Sequence, residues 1–110
     1  MTTYAVAHLH AIDFGDAIIE YLQRIDATLE PFGGRYIVHG DRPTVLEGTW
    51  SGDLVILSFP ARQSAEAWYA SPAYQAILAL RTDNSRGDVV LVDGVDESHR
   101  ATDLLAQLVA

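Results

Sequence analysis

Apolar and polar positions alternate with a period of two from the start of the chain. Over residues 3–12, Tyr4, Val6, His8, His10 and Ile12 fall on one side, and Ala5, Ala7, Leu9 and Ala11 on the other. That is the spacing of a strand, and the small apolar set suits a face packed under helices. The period then changes. Phe14, Ala17, Ile18, Tyr21, Leu22, Ile25, Leu29 and Phe32 recur at i, i+3, i+4 and i+7, which predicts an amphipathic helix. Asp13 is placed to cap it, Asp16 to complement its N-terminal dipole, and Gly33-Gly34 to end it.

A second strand is expected over 35–40, with Arg35, Ile37 and His39 on one side and Tyr36 and Val38 on the other. Asp41-Arg42-Pro43 breaks it, and TVLEGTW (44–50) reads as a short extended arm or hairpin before a turn at 51–53. Residues 54–59 form a nearly continuous apolar run, expected as a central strand buried on both faces and stopped by Pro60. A helix over about 62–70 buries Ala65 and Trp68. Ser71-Pro72 restarts a helix, because serine is a good N-cap and proline is tolerated at the first helical position. Tyr74, Ile77 and Leu78 carry its inward stripe to about Arg81. DVVLVDGV (88–95) is the fourth strand, and Ser98 is expected to cap a final helix with Ala101, Leu104, Leu105 and Leu108 on one face.

The order β-α-β-β-α-β with a tail helix is the ferredoxin-like pattern of an α+β fold, here a single domain over 1–110. Short unknotted connections with right-handed crossovers give the antiparallel strand order 4-1-3-2, with both helices on one side of the sheet. The other side is then expected to carry Val6, Ile37, Leu54, Ile56, Val89 and Leu91. That is a larger apolar patch than monomers usually leave in water. A second copy offering the same face, the two sheets about 10 Å apart, would cover it. A homodimer is therefore expected, with the tail helix able to reach over the partner.

Composition removes several function classes. The net charge is −8 and the pI about 4.6, so phosphate backbones and anionic lipid would be repelled, and neither nucleic acid nor membrane is an expected partner. There is no cysteine, which removes thiol nucleophiles and thiolate metal sites. Every positive side chain is an arginine, which removes Schiff-base chemistry and a lysine base. MTTYAVAHLHA has no charged n-region and no long apolar run, so it does not read as a signal peptide, and cytoplasm is the expected compartment.

EGTW (47–50), the FP at 59–60, AWYASPAYQA (67–76) and the LR at 80–81 resemble domain-of-unknown-function family 1330, within the dimeric α+β-barrel superfamily. The likeness covers about residues 3–95 and leaves the tail outside it. It implies the ferredoxin-like fold and a dimer, and it brings no established reaction. Relatives in that superfamily include cofactor-independent monooxygenases, lactone isomerases and haem-dependent enzymes, but fold alone does not transfer function. One departure is that family members commonly carry RG after the second strand where this chain has His39-Gly40, so no anion-binding arginine carries over to that place.

The candidate chemistry centres on histidine. His8, His10 and His39 are all expected on the open sheet face near one end, His8 and His39 about 10 Å apart, with Arg35 and Asp93 on the same face. This describes a pocket between two sheets with an apolar floor and a few polar groups. In the sharper reading His8 or His39 is a catalytic general base, and Arg35 or Arg81 clamps a carboxylate or enolate. His10, Arg35, Trp50, Arg81 and Asp93 are the candidate ligand-binding residues, and a small anionic or aromatic molecule is the ligand they suit. In the plainer reading the histidines are hydrogen-bonded interface residues and Trp68, Tyr69 and Tyr74 are core packing. Arg81 then has a structural role, capping carbonyls or pairing with an acid such as Glu47. His8-Leu9-His10 puts two potential metal ligands on one face, but a third would have to be His39 or a carboxylate, so no metal or other cofactor is expected. Two functional readings remain open: a non-enzymatic dimer that binds a small molecule, and a cofactor-independent barrel enzyme of the monooxygenase or isomerase type.

Overall fold

The computed structural model describes residues 1–108, so residues 109 and 110 of the expected domain lie outside the described residues. Four strands, β1 (Thr3–Ile12), β2 (Arg35–Asp41), β3 (Asp53–Phe59) and β4 (Ser85–Asp93), form one antiparallel sheet in the order β2-β3-β1-β4. This is the order expected, read from the opposite edge. Helices α1 (Asp16–Leu29), α2 (Arg62–Ala70) and α3 (Pro72–Thr82) supply the cover of one face, and a short α4 (Leu104–Leu108) ends the described chain.

The core forms where the helical stripes meet the small face of β1. Ala5, Leu57 and Phe59 from the sheet pack with Tyr21, Ile25 and Leu29 of α1, Ala65 and Trp68 of α2, and Tyr74 and Ile77 of α3. Phe59, Ile77 and Tyr74 are all but inaccessible to solvent. Burial of each such side chain contributes roughly 1.5–3 kcal/mol. The break between α2 and α3 is built as its sequence suggests: Ser71 is extended, its hydroxyl accepts from the Tyr74 amide, and Pro72 occupies the first turn. The α1 start differs. Gly15 rather than Asp13 precedes the helix, because the Asp13 amide donates to the Asn84 carbonyl and holds that residue at the sheet end. At the other end a 3-10 turn, Glu30–Phe32, follows α1, and Gly33 closes it at φ 70°, the left-handed conformation glycine adopts most readily.

Three irregularities decide which side chains face where. In β1, Leu9 pairs with Gly87 and Ala11 with Arg86, leaving His10 as an extra residue. In β2, Tyr36 pairs with Leu57 and Val38 with Ile56, leaving Ile37 extra; His39 pairs with Val55 and Asp41 with Leu54, leaving Gly40 extra. Each bulge shifts the register by one residue and turns everything after it to the other face. Gly40 takes φ 74°, which suits its place in such a bulge. As a result Ile12 and His39 lie on the helix side, contrary to strict alternation.

The open face therefore differs in membership from the expected one. Its middle row is Val90, Val6, Ile56 and Val38, and the next row toward one end is Val92, Tyr4, Ser58 and Arg35. Val90 and Val92, not Val89 and Leu91, belong to it; in an unbroken apolar run no alternation marks the face. Asp93 is also on the helix side, in register with Thr3. Of the extended arm or hairpin expected at 44–50, the hairpin does not form, and the segment is an irregular loop without strand pairing. Ser98 turns on Asp96 rather than capping a helix, and at the start of the tail the Arg100 amide donates to the Asp103 carboxylate instead. The tail stands away from the body, with Leu104, Leu105 and Leu108 exposed. The radius of gyration, 15.8 Å, accordingly exceeds the roughly 13 Å of a compact chain this long.

Candidate functional site

The histidines expected together are divided between the two faces. His8 and His10 remain on the open side. There the ring of His8 stacks on Trp50 at 3.9 Å and 13°, and the two imidazoles lie 3.9 Å apart. Nε2–H of His8 donates to the Ser51 carbonyl at 2.7 Å, and His10 bridges Asp88 through Nε2 at 3.2 Å. Gly52 makes this possible: at φ 81° it brings the loop so close to β1 that a Cβ there would lie 1.9 Å from the Leu9 carbonyl oxygen. Trp50 and Ser51 are thereby seated on the His8–His10 pair. Arg35 shares this face but sits opposite Ser58, four residues along β1 from the His8 row, so the two do not converge. No group of three or more metal-ligating side chains occurs among the described residues.

Asp93 belongs to neither set. It accepts from the Thr3 hydroxyl at 2.8 Å and forms an ion pair with Arg62 of α2 at 3.2 Å. These contacts, the Thr3 hydrogen bond first and Arg62 next, hold its carboxyl below the usual range. It ties α2 to the sheet edge.

A half-open cavity of about 260 Å³ lies on the helix side, between the sheet, α1 and α3. Its floor is Ala5, Ala7, Leu9, Val55 and Leu57, the small face of the central strands. Ile18, Leu22 and Ile25 of α1 form one wall, and exposed Phe14 stands at its edge. Tyr21 and Tyr74 face each other across the helices with hydroxyl oxygens 2.7 Å apart. Burial, then the neighbouring Tyr74, pushes the Tyr21 hydroxyl well above its ordinary pKa, so it stays protonated. Tyr36 also lines the space, and burial, with Asp26 and Tyr74 behind it, pushes its hydroxyl up to about 12. His39 lies against Tyr36, ring centroids 4.2 Å apart at 25°. Arg81, half-buried at the end of α3, reaches to 5.9 Å from the Tyr21 ring.

Sequence reasoning named His39 and Arg81 among the candidates and put them on the second strand and at the end of the helix after Ser71-Pro72, where they are, but assigned His39 to a pocket on the open face. It read Tyr21 and Tyr74 only as core. Both are buried, and both also line the cavity. The available signal was chemical: a tyrosine on an inward stripe must find a partner for its hydroxyl, and two facing stripes each carried one. Trp68 is core as expected, its indole N–H satisfied by Thr28 at 3.0 Å. Arg81 neither pairs with Glu47 nor takes part in any ion pair among the described residues.

A four-stranded antiparallel sheet with helices on one face and a cavity beneath them defines a ferredoxin-like α+β protein. Residues 2–95 match the family described as Domain of unknown function (DUF1330), and the chain belongs to that family. Solved structures share the fold at low identity. The methylated RPA0582 protein, from Rhodopseudomonas palustris, aligns with 13% identity over 89% of this chain and 84% of its own, TM-score 0.69. SnoaB from Streptomyces nogalater, a cofactor-independent oxygenase, aligns with 12% identity over 90% of this chain and 96% of its own, TM-score 0.58. A dimeric ferredoxin-like protein of unknown function from Jannaschia sp. CCS1 aligns with 13% identity over 86% and 100%, TM-score 0.57. No curated protein matches the sequence. No helix among the described residues is long and apolar enough to cross a membrane.

Proposed function

We propose that this protein is a homodimer that binds a small, mainly apolar molecule in the cavity between the sheet and helices α1 and α3. The observation that carries the binding role is the cavity itself: about 260 Å³, floored by alanine and aliphatic side chains, with Tyr21, Tyr36, His39, Tyr74 and Arg81 around it. An apolar space with a few convergent polar groups is the usual form of a small-molecule site. The dimer is supported by the apolar row Val90, Val6, Ile56 and Val38, which nothing among the described residues covers, and by the dimeric state of the Jannaschia protein. Benzene, observed through the methyl resonances of Ile18, Val55 and Leu57, tests the binding role. Shifts in the wild type that vanish in Ala7→Leu support it, since the larger side chain fills the floor. Shifts that survive the filling contradict it.

A second reading is a cofactor-independent enzyme with a histidine base. It is favoured by one observation, that His39 lines the cavity and lies against Tyr36. His39 then takes the role, because His8 has its Nε2 engaged by the Ser51 carbonyl on the other face. In this reading His39→Gln abolishes turnover of a bound phenol or lactone while leaving its affinity within about threefold. Equal turnover in both proteins removes it.

A further inference from the structure

We propose that the ligand of the cavity is a monocyclic carboxylic acid of about ten non-hydrogen atoms, its carboxylate held by Arg81 and the Tyr21–Tyr74 hydroxyl pair; the proposal rests on the ligand-binding reading above.

Charge carries the first step. Arg81 is half-buried, lines the cavity and takes part in no ion pair among the described residues, in a chain with 15 acidic side chains and only seven arginines. The other formally charged side chain of the lining, Asp53, is already paired with Arg42 at 3.5 Å. The cavity thus presents one uncompensated positive charge, and partly desolvated charges are normally paired. An anion supplies what the protein does not.

The tyrosine pair carries the second step. Two hydroxyls hold two protons, and the 2.7 Å contact between Tyr21 and Tyr74 uses one of them. The other proton has no acceptor within the pair. An acceptor oxygen beside it, itself within reach of a guanidinium, completes both groups at once. A carboxylate fits this better than a phosphate: it matches the planar fork of arginine, and its single charge costs less to bring into a lining that is mostly aliphatic and aromatic.

Size and wall chemistry carry the third. A cavity of about 150 Å³ admits one benzene, and about 260 Å³ scales to one ring with a short acid side chain. Tyr36, Trp68 and Tyr69 contribute aromatic surface to the walls, which suits a flat ring, and a ring loses fewer rotors on binding than a chain acid of equal size.

The test compares phenylacetate with phenylacetamide, of equal size but neutral, and with octanoate, a flexible acid of similar size. Benzene serves as the uncharged probe of the cavity. Dissociation constants come from calorimetry and the site from methyl shifts. Phenylacetate is expected to bind about tenfold or more tightly than the amide, and more tightly than octanoate. Arg81→Gln should erase the acid-over-amide preference while benzene still shifts the cavity methyls, which shows that the variant keeps its fold. Tyr21→Phe combined with Tyr74→Phe removes both hydroxyls at nearly constant shape and should lower acid affinity severalfold with little change in Tm. Equal affinity for acid and amide overturns the anion assignment, as does a preference that survives Arg81→Gln. Tighter binding of octanoate overturns the ring. If benzene, acid and amide all leave the cavity methyls unmoved, the underlying ligand-binding reading fails instead.

Discussion

The two faces of this sheet come from the same four strands and could hardly be finished more differently. On the helix side, Ala5, Leu57 and Phe59 disappear under Trp68, Tyr74 and Ile77, and polar groups gather around a half-open cavity. On the open side, Val6, Ile56, Val38 and Val90 form an apolar row with no cover among the described residues, ended by Trp50 stacked on His8 with His10 tilted against it. The difference is set by a few backbone insertions as well as by composition. Without the extra residue at Ile37, His39 would fall opposite Leu54 on the open face. With it, the imidazole reaches the cavity. On the proposed reading, ligand binding belongs to the helix side and assembly to the open one.

The largest effect that bears on this contrast is on the closed face. Trp68→Ala removes a ring that is 3% exposed, its contacts with Phe59 and Tyr74, and its bond to Thr28. It is expected to cost about 3–5 kcal/mol in urea unfolding. The open face should answer differently. Val90, 51% exposed in the single chain, can become Arg with little effect on monomer folding. In a dimer, however, each copy would bring an unpaired charge into an apolar contact, which costs several kcal/mol. Sedimentation is expected to show Val90→Arg as a monomer with the wild-type far-ultraviolet spectrum, and an unchanged dimer would mean that another surface joins the copies.

Gly52 joins the two regions, since its loop begins beside the cavity and ends on the histidines. Gly52→Ala places a Cβ against the Leu9 carbonyl at a left-handed φ, and is expected to cost about 1–3 kcal/mol. Trp50 should leave His8 as the loop shifts, seen as a change in indole fluorescence. The smallest effect is alkaline. Tyr21 and Tyr36 have folded pKa values raised above the unfolded value, Tyr36 to about 12. The native state therefore holds their protons after the unfolded chain has released its own. Their contribution is complete below about pH 10, the ordinary tyrosine value, and is lost as pH rises through the folded values. Tm should fall between about pH 10 and 12, less steeply in Tyr36→Phe.

Much of the fold was legible because it rests on side-chain periodicity. The alternation of β1 up to Leu9, the stripe of α1 from Ile18 to Leu29, and the Ser71-Pro72 restart all became structure as read. The site was less legible because bulges are properties of paired backbones. Nothing in Arg35-Tyr36-Ile37-Val38 marks Ile37 as the unpaired residue, since each of these side chains tolerates a strand. Gly40 was a partial sign, because glycine inside a strand pattern often marks a bulge. The β4 run Val89-Val90-Leu91-Val92 is apolar throughout and so carries no record of its facing. Asp93 went to the helix side for the same reason, and its engagement with Thr3 and Arg62 needed three elements to be placed first.

The most direct test of the central claim follows the histidine imidazoles by nuclear magnetic resonance while a cavity ligand, phenylacetate or benzene, is titrated into the protein. The account predicts that the His39 ring signals move together with those of Tyr36 and Tyr21, while His8 and His10 stay where they were. Movement of His8 and His10 with His39 unchanged would put the ligand on the open face, and would contradict the assignment of binding to the helix side.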